Sequence, residues 1–567
     1  MHILQLPTDV FIVVLSYVGG KDLLVCKQVC KSFRSLLKSS PELHYTLALA
    51  KAGVVDGVTG QPVEERLQLL RRLEQSWYPD ALKPRKQFRV LFSRPFTRTD
   101  VNAGFVISGM VPRSSQDYEE LQIYRLPSTL PNLKAKSWRH VLDSNIRYYK
   151  ADPVQDMLAL LEIPERRYGQ GYTLLRVHLR TFSNNKRHPL ASRPVLELGK
   201  FDPDLYVGQT GEGCEDFSIH IYLDMLALIV KPIGMASDDT LAHQELLMIW
   251  QWTSGQRLAV FVPPPDFTFS DCAFIKRDKL LIAHSRSSFG PSISVLHIGR
   301  RELYSKFSDA VLDCSVEPVT YEPRGTIFQL PAPPKCKPEC VGIRDIRITN
   351  GSSPYPPRLS NEQDSSTPLF VSDPSPESAM VAFSISVVLQ SVRHGTPPII
   401  HHTLLAYIST FITLFSPSQA RCVPFDEWSA RGVYWFLGPP GFLHGQRYAH
   451  TTFDRRWNTV EIYDFNPSHI PTVVSGWQTL VKPNKKPSFS SISPKMSLFK
   501  TKNSFGCPHK YYLDGGKLKS NLRYKKQTMK EEMGGQQSGC ALDCERVIIL
   551  DTERGGYIFG FTSYNIA

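Results

Sequence analysis

Nowhere in the 567 residues do about 18 apolar residues run together, the length an α-helix needs to cross a bilayer. The apolar run Val10 to Val18 is far shorter. No basic region precedes it and no small-residue cleavage site follows, so neither a membrane helix nor a secretory signal is predicted. Cysteine is scattered and odd in number, 11 in all. That excludes a regular disulfide framework and points to free thiols in a reducing compartment, the cytosol or nucleus.

Catalytic signatures are missing as well. Gly208-Gln209-Thr210-Gly211-Glu212-Gly213 runs into Cys214-Glu215-Asp216 and lacks the Lys-Ser/Thr of a phosphate loop. No Gly-x-Ser-x-Gly elbow is present. His401-His402, His444 and His450 do not form a His-x3-His motif with a carboxylate between, and read as surface or core histidines. Gly438-Pro439-Pro440-Gly441 reads as a turn. Cys336/Cys340 and Cys540/Cys544 are two Cys-x3-Cys pairs whose loose spacing is a poor zinc signal. Asn350-Gly351-Ser352 is a glycosylation sequon that a reducing compartment leaves unmodified. Neither a cofactor nor a metal is expected, nor any catalytic residue.

Acidic residues almost vanish from 482–530, where 13 Lys/Arg face a single Asp514. The rest of the chain carries 53 basic against 52 acidic residues. The overall charge of +13 is therefore a property of one segment. It lacks the basic-plus-aromatic pattern of a nucleic-acid fold and reads as a solvated loop.

The first forty residues are the most informative. Leu6-Pro7-Thr8-Asp9 opens a helix: Pro7 fixes φ at its mouth, and Thr8 and Asp9 suit the free N–H groups of the first turn. Val10 to Val18 follows, then a Gly19-Gly20 break, a second helix near Asp22, and a third in which Val29, Phe33 and Leu36 or Leu37 share a face. So small a unit cannot bury all these side chains by itself, and an apolar surface left over marks a docking site.

This stretch resembles an F-box, the motif that attaches substrate receptors to the Skp-type adaptor of cullin-based ubiquitin ligases. The family pattern of Leu-Pro, an acidic residue, an apolar helix, Asp-Leu-Leu and Val-Cys-Lys before an aromatic stands here in register. Its positions are Leu6, Pro7, Asp9, Val14, Leu15, Asp22, Leu23, Leu24, Val29, Cys30, Lys31 and Phe33. Phe33 replaces a frequent Trp, and Gly19-Gly20 replaces an apolar-plus-Pro turn, which would loosen the second helix. The resemblance covers residues 4–48 and implies an adaptor-binding set of Leu6, Pro7, Ile12, Leu15, Leu23, Leu24, Val29, Cys30 and Phe33.

Further on, Pro41 suggests a turn, and Val63, Leu67 and Leu70 share one helical face behind Pro62. This reads as a rigid helical spacer over 49–85. From Lys86 the pattern changes to short runs bounded by Gly, Pro, Asn and Asp, the mark of β-strands. Ile219–Val230 and Thr403–Phe415 are each read as one strand. Two weak repeats recur. One is the run 247–256, 460–467 and 547–556; the other pairs an acidic residue with an apolar strand at Asp152, Asp224 and Asp278. These units resemble the degenerate WD-repeat-like β-propellers that follow F-boxes in fungal proteins; the repeats are too divergent to count blades, so roughly six to eight blades and a double-sheet arrangement both stay open. Residues 331–378, with ten of the 43 prolines, and residues 482–530 read as mobile insertions.

The expected fold is α+β and multidomain: a three-helix F-box at 1–48, the spacer, and a mainly β, propeller-like domain at 86–567. The expected function is the substrate-recognition subunit of a Skp/cullin/F-box E3 ligase. Its partners are the adaptor, a cullin through it, and a protein target, with no membrane or nucleic acid. The alternative is a non-catalytic scaffold that uses its F-box without a cullin.

Overall fold

The structure is a computed structural model that describes residues 6–57, 60–77, 85–96, 98–110, 118–128, 133–163, 173–201, 217–231, 245–285, 287, 290–298, 319–321, 326–330, 340–350, 369–389, 399–416, 421–429, 431–437, 441–454, 457–469, 525–532, 538–552 and 558–566. The run Gly208 to Gly213, most of 482–530 and Cys336 lie outside them.

Five helices come first: α1 Thr8–Ser16, α2 Gly20–Val29, α3 Lys31–Ser39, α4 Pro41–Ala52 and α5 Val63–Ser76. Pro7 is the N-cap of α1, and no side chain caps its first turn. Asp9 instead places its charge in the first turn, at the positive end of the helix. Val29 ends α2 rather than joining α3, because Cys30 between them is extended. Pro41 opens α4 rather than a turn: Ser40 Oγ accepts from Leu43 N at 3.3 Å, and the missing N–H of Pro41 costs nothing there. α4 ends at Gly53, where φ of 69° suits glycine.

From Arg85 onward the chain is mostly strand. Six sheets of four or more strands follow one another among the described residues. The first has seven strands, but Lys136–Asp152 is shared between its halves. Its early part pairs with Tyr118–Arg125, its late part with Met157–Glu162, and the register shifts in both pairings. That sheet is thus two four-stranded sectors joined by one long strand. The sheet built on Ser538–Leu542 is completed by a strand from far earlier: Arg85–Phe96 pairs with Ile558–Asn565.

Hydrophobic cores lie between consecutive sectors. Phe105, Tyr149 and Leu158 fill the first gap. Val177, Leu228 and Trp250 fill the second, and Ile249, Phe274 and Ile282 the third. Phe328, Phe383 and Phe411 fill the fourth, and Met380, Tyr448 and Phe465 the fifth. Val460, Leu542 and Ile549 fill the sixth, beneath α4 and α5. The seventh core joins Ile548 and Phe561 of the last sheet to Val101 and Val106 of the first.

Several expectations change. Ile219–Val230 is a hairpin, Phe217–Tyr222 and Met225–Val230, turning at Leu223 with φ of 55°. Thr403–Phe415 splits into a strand ending at Tyr407 and a helix, α6 Ile408–Leu414. Ile408, Phe411 and Leu414 of α6 are buried at helical spacing, a period hidden within a mostly apolar run. Residues 331–378 are not one insertion, since Cys340–Asn350 is a full strand and Phe370–Ser372 a short one. Alternating Ile343, Ile346 and Ile348 carry that strand inside a Pro-rich surround. Lys525–Glu532 pairs with Trp457–Asp464, so the basic segment ends in a sheet.

Candidate functional site

The N-terminal helices close a small core of their own. Phe11, Leu15, Leu23, Leu37 and Leu43 are buried in it, and Phe11 meets Phe33 edge-on at 5.0 Å. Leu15 and Leu23 are 3% and 0% exposed, which puts both inside the unit. They pack there because they lie on the sides of α1 and α2 that turn toward α4. Leu6, Ile12, Cys30 and Phe33 are half-buried, and only Pro7, Leu24 and Val29 of the expected set are exposed.

A different apolar strip faces outward. On α1 it holds Val10, Val13, Val14 and Tyr17, the last 87% exposed; on α2 it holds Leu24, Val25 and Val29. The α1 residues recur at i, i+3, i+4 and i+7, which is one helical face. Sequence reasoning did not single out Val10, Val13, Tyr17 and Val25 as exposed apolar residues. The available signal was that α1 is apolar on both sides, a pattern that calls for two partners.

Gly20 has a packing role in place of the loosening expected of it. A Cβ there would lie 2.1 Å from Ala50 Cβ of α4, so only glycine lets α2 approach α4. Gly20→Val is therefore expected to destabilise the helical unit by about 2 kcal/mol, the cost of overpacking. Thermal denaturation with limited proteolysis at α2 checks it.

The second candidate is a cavity of about 440 Å³ enclosed by the first strands of the sectors. Arg98–Asn102, Lys136–Asp152, Phe217–Tyr222, Asp271–Lys276, Cys340–Asn350 and Phe442–His444 all line it, as does the turn Asp543 to Arg546. Asp271 ties three of these strands together. Its Oδ1 accepts from Ser218 Oγ at 2.7 Å and lies 2.9 Å from His220 Nε2; its Oδ2 accepts from Ile348 N at 2.8 Å. Burial would raise its pKa, but the charge and hydrogen bond of His220 outweigh that and hold it down at about 2. Ser218, His220 and Asp271 are not a nucleophilic relay, because Ser218 and Asp271 meet the same ring nitrogen.

His444 lines this cavity, and burial lowers it to about 4. His402 packs against Trp435, and His450 stacks on Tyr463. Asn350 lies on the inner strand and donates to Phe274 O at 3.0 Å. Cys540 and Cys544 are free thiols, and burial pushes Cys540 up to about 12. Among the described residues no group of three or more His, Cys, Asp or Glu could hold a metal ion. No described helix is long and apolar enough to cross a membrane.

No curated protein matches the chain. Among solved structures, the crystal structure of polysaccharide lyase Uly1 is similar at 10% identity with a TM-score of 0.35. That match covers 91% of this chain and 97% of that one, a likeness too low to carry any inference. Residues 3–45 match the F-box domain family. The chain thus begins with an F-box, the domain that binds Skp-type adaptors and through them a cullin, ahead of a largely β region.

Proposed function

We propose that this chain is the substrate-recognition subunit of a Skp/cullin/F-box E3 ubiquitin ligase. The observation that carries the reading is the exposed apolar strip of α1 and α2 on a unit whose own core is already closed. Such a strip is completed by an adaptor. The β region then acts as a receptor with no catalytic residue of its own, raising the local concentration of a bound target near the charged E2.

The β region reads as a seven-bladed propeller of the degenerate WD-repeat-like kind found behind fungal F-boxes. Two features support this. Seven inter-sector cores lead from the last sheet back to the first, and the two ends of the β region share one sheet. The repeat at Asp152, Asp224 and Asp278 also falls in one topological region, at the end of the first strand or in the turn after it, in three successive sectors. The proposed domains are the F-box at 1–48, a helical layer at 49–85 and the receptor at 86–567, working in the cytosol or nucleus. Co-expression tests the reading: the intact chain is expected to retain the adaptor and, through it, a cullin. Adaptor without cullin would favour the scaffold alternative, and retention of neither would defeat both.

A further inference from the structure

Arg98 and Lys150 stand side by side on the cavity wall with hydrogen-bond donors left over. Lys150 Nζ donates to Asp100 Oδ2 at 2.8 Å, its one hydrogen bond among the described residues. Its side chain is 31% exposed, toward the cavity it lines. The Arg98 guanidinium lies 3.9 Å over the Tyr148 ring and donates from Nη2 to Tyr148 Oη at 2.7 Å. Its other N–H groups have no partner among the described residues. Tyr148 accepts from Arg98 there, which leaves its own O–H to donate. The two cations are near enough for the charge of Arg98 to act on Lys150.

The spare groups of Arg98, Lys150 and Tyr148 are all donors. Asp152, the nearby second carboxylate, is turned into its own hairpin, where its oxygens accept from Val154 N and Gln155 Nε2. A ligand here must therefore accept hydrogen bonds without bringing donors that go unsatisfied. A carboxylate does so, and an amide or alcohol does not. Charge sets the upper limit. Arg98 and Lys150 carry one positive charge more than Asp100, which a monoanion balances, while a phosphate dianion leaves excess negative charge in a low-dielectric cavity; Asp152 lies behind, where burial raises its pKa and favours its neutral form. Across the wall, Lys231 and Arg347 both pair with Asp345.

We propose that the cavity receives a single carboxylate of a partner polypeptide, held by Arg98, Lys150 and the Tyr148 hydroxyl. This rests on the receptor reading and names the chemistry its target presents, either a chain terminus or an acidic side chain. The test screens the full-length chain against three pools of random octapeptides: free C-terminal acids, the same pool amidated, and an amidated pool with a central phosphoserine. Enrichment from the free-acid pool alone identifies a terminus; enrichment of Asp or Glu at a fixed position in the amidated pool identifies a side chain. Converting that carboxylate to an amide is expected to weaken binding about tenfold or more, a readout that needs no protein variant. Lys150→Gln should do the same and Lys150→Arg should restore most of the affinity. Preference for the phosphoserine pool, selection from none, or indifference to amidation would overturn the proposal. No adaptor or cullin enters the measurement, so its failure is distinct from failure of F-box docking.

Discussion

A chain carrying Val14→Asp and Leu24→Asp is expected to lose the adaptor in a pull-down while keeping its melting temperature. Both side chains are exposed, 42% and 51%, so neither substitution opens the internal core. At an interface, each would have to place a carboxylate against apolar surface. Truncating a central contact costs about 2 kcal/mol, so the pair is expected to weaken adaptor binding roughly a thousandfold. Leu15→Ala and Leu23→Ala make the contrast. Each empties a buried site and is expected to cost about 2–5 kcal/mol of stability. Adaptor loss in those variants would follow from unfolding of the unit and report nothing about the interface. Equal retention of the adaptor by the parent and the double aspartate variant at matched stability would place the contact elsewhere.

The contrast also marks how far the sequence could be read. Leu6 to Phe33 announces the helices, because Pro7, the Gly19-Gly20 break and the apolar spacing act locally. Which side of α1 faces the core is not local. It depends on α4, and α4 reaches α2 only because Gly20 and Ala50 both leave room. Leu15 and Leu23, expected as docking residues, therefore fall inside. The β strands with short apolar runs, such as Met380–Leu389 and Val433–Leu437, were legible from their β-branched and aromatic composition. Arg98–Asn102 and Cys340–Asn350 were not, since charged and polar side chains interrupt them. Those same side chains line the cavity, so the least strand-like inner strands carry the candidate site. Its members come from positions as distant as Asp100 and Asp543, and no spacing along the chain announces that meeting.

The spacer expected over 49–85 is better described as a shared wall. Leu43 and Leu47 of α4 belong to the core of the F-box. Tyr45, Ala48, Leu49 and Ala52 of the same helix pack on the β region, along with Leu67, Leu70 and Leu73 of α5. A boundary at residue 48 thus falls within one helix that serves both bodies. Val54–Asp56 also pairs with Phe370–Ser372, whose residues line the cavity. The exposed strip and the cavity are connected through continuous packing rather than by a flexible tether.

Four charged groups pin this wall in place, and removing one is expected to release it. His469 lies between two carboxylates, with Nε2 2.6 Å from Glu74 of α5 and Nδ1 2.8 Å from Asp464. Arg447 reaches both acids, at 3.6 and 3.2 Å, and its guanidinium sits 4.5 Å over the Trp77 ring just past α5. His469 and Asp464 side chains are each 6% exposed, so solvent screens the cluster little. Burial would lower His469, but its hydrogen bonds to Asp464 and Glu74 win and hold it up at about 9. Burial would raise Asp464, but Arg447 and His469 hold it down at about 2. The signs follow from linkage. The stability His469 contributes is complete below its ordinary value near 6.5 and is lost as pH rises through about 9. The part from Asp464 is complete above its ordinary value near 3.9 and is lost as pH falls through about 2. The cluster therefore stabilises most between about pH 4 and 6.5 and weakens progressively in alkali. His469→Ala leaves two carboxylates facing one arginine and is expected to cost about 3 kcal/mol at pH 6.5. The same substitution should cost much less at pH 9.5, where the parent has already lost the proton. Denaturant melts of both proteins at the two pH values decide it. A His469→Ala penalty independent of pH would mean that the imidazole acts there by packing alone, and that its charge does not hold α5 to the β region.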